Sequence, residues 1–110
     1  MLSINNETHG MSMIVKDSGA FVVRLTNYLL DEGDEVVFTI AANKEDETPA
    51  VQKRITTFVD NNAAVINLTT NDTDVPVGNY WYDIQVNSAD GRVDTIVGPY
   101  KFKFLGGATY

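Results

Sequence analysis

Between Asn79 and Asn87 the chain alternates with a period of two. Tyr80, Tyr82, Ile84 and Val86 fall on one side, and Trp81, Asp83, Gln85 and Asn87 on the other. Successive side chains of an extended chain point to opposite faces, so the segment predicts a strand with one face buried and one face wet. A helix would scatter the four apolar residues around its circumference. Whatever fold this chain adopts must therefore supply a second layer to cover the tyrosine side.

Other segments carry the same rhythm. Phe21, Val23 and Leu25 alternate with Val22, Arg24 and Thr26, and Val36, Phe38 and Ile40 alternate with Val37, Thr39 and Ala41. Ala64, Ile66 and Leu68 alternate with Val65, Asn67 and Thr69, while Tyr100, Phe102 and Phe104 alternate with Lys101 and Lys103. Met11 to Val15 predicts a first strand. Val51 to Phe58 is more polar and β-branched, as suits a sheet edge. Arg92 to Val97 is β-rich with no clear inward face. Turn chemistry separates the runs: Asp31-Glu32-Gly33-Asp34-Glu35, the polar stretch 43–49, Asp60-Asn61-Asn62, and Asp90-Gly91, whose residues both accept positive φ and predict a hairpin. Thr70 to Pro76 has room for one helical turn, which Pro76 stops. Seven or eight short strands at such spacing predict an antiparallel sandwich or barrel over residues 11–105, with a weakly ordered segment at 1–10 and a tail at 106–110.

Charge and composition narrow the function. Fifteen acidic against eight basic residues give a net charge of −7, which repels phosphate backbones and anionic lipid and argues against nucleic-acid or membrane partners. Cysteine is absent, excluding a disulfide framework, a thiolate metal site and a cysteine nucleophile. With His9 as the one imidazole, no site can use two. The start of the chain has neither a basic nor an apolar region of a signal peptide, so the N-x-T sequons at Asn6, Asn67 and Asn71 are expected to stay unmodified. A length of 110 residues fits one domain.

Candidate chemistry is sparse. Asp31, Glu32, Asp34 and Glu35 cluster, as do Asp72 and Asp74, but neither spacing matches a calcium loop, and a solvated acidic turn is the better reading. His9 has no nucleophile and orienting acid arranged around it in sequence. No glycine-rich phosphate loop or dinucleotide fingerprint is present. The expectation is a domain that is not an enzyme and has no metal or cofactor. Trp81 is the one candidate interaction residue. If Tyr80 and Tyr82 face the core, Trp81 must face outward, where it is either covered by a loop or neighbouring subunit or exposed as a contact.

The order of Asn71-Asp72-Thr73-Asp74, then Gly78-Asn79-Tyr80-Trp81-Tyr82-Asp83-Ile84, then Asp90-Gly91, then Val93-Asp94-Thr95-Ile96-Val97-Gly98-Pro99 and Lys101-Phe102-Lys103-Phe104 resembles immunoglobulin-like phage tail proteins. More narrowly it is similar to the N-terminal domain of the baseplate upper protein family of phages and prophages. Val15 to Phe21 and Glu32 to Ile40 agree with that family's opening strands, although Asp17-Ser18-Gly19 stands where the family carries Gly then Asp, and the family continues into further domains. The resemblance implies an immunoglobulin-like antiparallel β-sandwich made in the bacterial cytoplasm and carried in the virion tail. Its partners would be other tail or baseplate proteins, with a homo-oligomer as a further option. Pro76-Val77-Gly78-Asn79-Tyr80 also looks like the tyrosine corner of fibronectin type III modules. That implies a free-standing binding module for a cell-surface protein or carbohydrate.

Overall fold

The structure is a computed structural model that describes residues 2–4, 9–25, 29–43 and 48–107. Among the described residues every regular element is a strand: β1 (Ser3–Ile4), β2 (Met11–Ile14), β3 (Gly19–Arg24), β4 (Glu35–Ala41), β5 (Val51–Ile55), β6 (Ala63–Leu68), β7 (Gly78–Asn87) and β8 (Val93–Leu105). None of them is a helix long and apolar enough to cross a membrane. Six strands form one sheet in the order β1-β2-β8-β7-β4-β5, and β3 pairs with β6 in a second. Asn6, Thr26, the charged run 44–47 and the end of the tail at 108–110 lie outside the described residues.

Both sheets contribute to one core. Val36, Phe38 and Ile40 of β4, Val86 of β7, Phe102 and Phe104 of β8 and Ile66 of β6 are fully shut away from water. Tyr80, Tyr82 and Ile84 are buried beside them. Phe21 of β3 meets Phe38 of β4 edge-on at 5.2 Å, bridging the two layers, and Phe102 and Phe104 lie 4.8 Å apart. Each such ring contributes on the order of 2–3 kcal/mol by leaving water. The alternation read from the sequence is the alternation of burial: Tyr80, Tyr82, Ile84 and Val86 point in, and Trp81, Asp83, Gln85 and Asn87 are only half-buried on the other face.

Three local expectations are corrected. The large sheet is mixed rather than antiparallel, because β2 runs parallel to β8 with Met11 opposite Phe102 and Met13 opposite Phe104. Alternation reports which face is buried and carries no information on a neighbour's direction; β2 reaches the last strand only after the rest of the fold has been laid between them. The segments at 92–97 and 100–104 are one strand, interrupted by two register shifts against β7. Val37, expected on the wet face, is 3% exposed, because it sits between Arg54 and Gln85 on the neighbouring strands and their long stems cover it. The expected β7–β8 hairpin forms around Asp90-Gly91; Gly91 has φ +95°, while Asp90 does not adopt positive φ. The Gly91 N–H donates to the Ser88 carbonyl at 2.9 Å and the Ser88 N–H to that of Arg92 at 2.8 Å. This is a three-residue loop with the glycine in the left-handed position.

The turns hold the ends of the layers together. The expected helical turn forms over 69–73, where the Thr73 N–H donates to the Thr69 carbonyl. Thr69 and Asp72 exchange bonds as a capping pair: the Thr69 N–H donates to Asp72 Oδ2 at 2.8 Å and the Asp72 N–H to Thr69 Oγ1 at 3.2 Å. The buried Thr73 hydroxyl then donates to the Asp17 carbonyl at 2.6 Å, fastening this turn to the β2–β3 connection. β5 lies at the sheet edge, as its composition suggested.

Candidate functional site

Trp81 lies on the outer face of the six-stranded sheet, between Ala41 of β4 and Lys101 of β8. The methyl group of Ala41 leaves space beside the indole. A hollow of about 70 Å³ opens there, lined by Thr39, Ala41, Asn43, Trp81, Asp83 and Pro99. On the other flank a wider hollow of about 350 Å³ is bordered by Gly10, Trp81, Pro99, Tyr100 and Lys101. Lys101 Nζ stands 6.0 Å from the centre of the indole, within cation–π range.

The wall between the hollows is a β-bulge. Tyr82 pairs with Tyr100 and Ile84 with Val97, so Gly98 and Pro99 together oppose the single residue Asp83. Gly98 takes φ +94°, and a Cβ there would lie 2.6 Å from the Tyr82 carbonyl oxygen. Only glycine fits this approach. The bulge lifts Pro99 beside Trp81 and gives Asp83 a half-buried position. Burial pushes the Asp83 carboxyl above its ordinary value, and it has no ion-pair partner among the described residues.

The acidic clusters act as structural fasteners. Asp34 Oδ2 accepts from the Asp31 N–H at 2.9 Å and Oδ1 from the Ala89 N–H at 3.0 Å, which joins the β3–β4 loop to the β7–β8 hairpin. The Asp31 and Ala89 amides hold its carboxyl below the usual carboxylate value, against an opposing effect of burial. Glu35 accepts from Arg54 and, at 3.2 Å, from Asn87 Nδ2. For Asp72, burial opposes ionisation, but the Thr69 amide and the Lys53 ammonium at 3.0 Å outweigh it and lower its value. Among the described residues no group of three or more His, Cys, Asp or Glu side chains is placed to hold a metal ion.

His9 is joined to the core at its backbone: its carbonyl accepts the Tyr82 hydroxyl, and its ring lies 5.0 Å from that of Tyr100. Burial, reinforced by Tyr100, pushes the Tyr82 phenol up to about 12. Trp81 was the site residue legible in the sequence. Asp83, Ala41 and Pro99 were not singled out; the usable signal was the Gly98-Pro99 pair inside a β-rich run, which marks a bulge. No protein-family model, curated protein or solved structure matches this chain.

Proposed function

We propose that the chain is an immunoglobulin-like β-sandwich serving as a non-catalytic structural domain of a phage or prophage tail, with the sheet face around Trp81 meeting another baseplate component. Two features support the fold: a first strand of the core that runs parallel to the last, and the Tyr80 hydroxyl donating to the Pro76 carbonyl at 2.6 Å, the geometry of a tyrosine corner. The tail assignment rests on the sequence resemblance. The contact role rests on one observation, an indole held half-buried on the outer face, where Gln52, Lys101 and Lys103 are exposed. Tryptophan in such a place is the residue type that dominates interface energies.

Particles released from cells encoding the chain test this reading. Gradient-purified tails should contain peptides of the wild-type chain, and a Trp81→Ala chain with unchanged melting temperature should be missing from them. Purified tails free of the wild-type chain would overturn the reading. They would also favour the free-standing module, which the Tyr80–Pro76 bond fits equally well.

A further inference from the structure

We propose that the hollow between Trp81 and Asp83 receives an arginine side chain from a basic partner protein. This deepens the contact role of Trp81 and rests on that reading. Trp81 and Asp83 stand two positions apart on the same face of β7, so their Cα atoms are about 7 Å apart along the strand, and both side chains line one hollow. Between them the hollow of about 70 Å³ has room for a side-chain head group. An aromatic face and an unpaired carboxylate at that spacing match a guanidinium, which stacks on rings and offers a flat fork of donors to a carboxylate. A lysine ammonium is more strongly hydrated and loses more on entering a half-buried site. Thr39 also lines the hollow, and its hydroxyl accepts from Gln52 Nε2 at 3.2 Å. The net charge of −7 favours a basic partner and disfavours a second copy of this chain.

Trp81 is the only tryptophan, so its fluorescence reports on the site directly. The probe is acetyl-Gly-Arg-Gly-amide at physiological ionic strength, compared with the same peptide carrying citrulline, which keeps the shape and removes the charge. The arginine peptide should give a saturable change, weakened about tenfold or more both with citrulline and in Asp83→Asn. Asp90→Asn, which removes the same charge at the far end of the hairpin, should bind like wild type. Asp83→Asn should melt no lower than wild type, because it removes an unpaired carboxylate that burial disfavours. Equal responses to both peptides, an intact arginine response in Asp83→Asn, or no saturable change would overturn the proposal. If the peptides fail while Trp81→Ala is still lost from particles, the arginine assignment falls and the contact role of Trp81 stands. If Trp81→Ala enters particles normally, the contact role falls and takes the assignment with it.

Discussion

Truncating Tyr82 to alanine tests the core where the most structure converges. The side chain is 3% exposed. Its ring lies 5.7 Å from Phe38, 6.1 Å from Tyr100 and 6.2 Å from Phe102, and its hydroxyl donates to the His9 carbonyl at 2.5 Å. Removing a buried aromatic ring costs about 3–5 kcal/mol, since the surrounding rings close only part of the cavity. A domain of this size has roughly 5–15 kcal/mol in total, so Tyr82→Ala should remain folded but melt about 15 °C lower. Urea unfolding followed by Trp81 fluorescence gives the loss directly. Tyr82→Phe divides it: the ring remains, the hydrogen bond goes, and the cost should be about 1 kcal/mol. A loss below about 1 kcal/mol for Tyr82→Ala would refute the inward placement of this ring.

Other variants probe the turns and the titrating groups. Gly98→Ala should cost about 2 kcal/mol or more, against about 1 kcal/mol for Gly91→Ala, because both positions have positive φ but only Gly98 meets backbone; equal losses by urea unfolding would contradict the bulge geometry. Asp34 and Asp72 ionise below their ordinary value in the folded state. Their contribution is complete above the unfolded carboxylate value near about 4 and is lost as pH falls through the folded values, so Asp34→Asn should flatten the acid limb of a stability–pH curve. Tyr82 has the opposite sign: its raised phenol contributes fully below its unfolded value of about 10. That contribution is lost as pH rises toward about 12, and Tyr82→Phe should remove this part of the alkaline limb.

The buried face of each long strand was legible because alternation is a direct imprint of a one-sided core. Tyr80, Tyr82, Phe38, Ile40, Ile66 and Phe104 all stand where the pattern assigned them. Turns signalled by Asp, Asn and Gly were equally readable, since their residues carry the required φ or the local hydrogen bonds. The parallel β2–β8 pairing was not, because strand direction depends on topology outside any local window. The irregularities of β8 were also hidden: one extra residue at Gly98-Pro99 opposite Asp83 and a second at Ile96 break the alternation, and the one at Ile96 leaves the face of Arg92 to Val97 ambiguous. The site followed suit. An outward Trp81 can be deduced from its neighbours, but the hollow beside it depends on Ala41, forty residues away in sequence, and on Asp83 being opposite the bulge.

Contacts between aromatic protons in solution decide most directly whether this account is right. Nuclear Overhauser spectra should connect the Tyr82 ring to Phe38 and Phe102, and the Trp81 indole to the side chains of Ala41 and Lys101. An indole that contacts Phe38 or Phe102 instead would turn β7 over, placing the tryptophan inside and leaving no outer site for a partner.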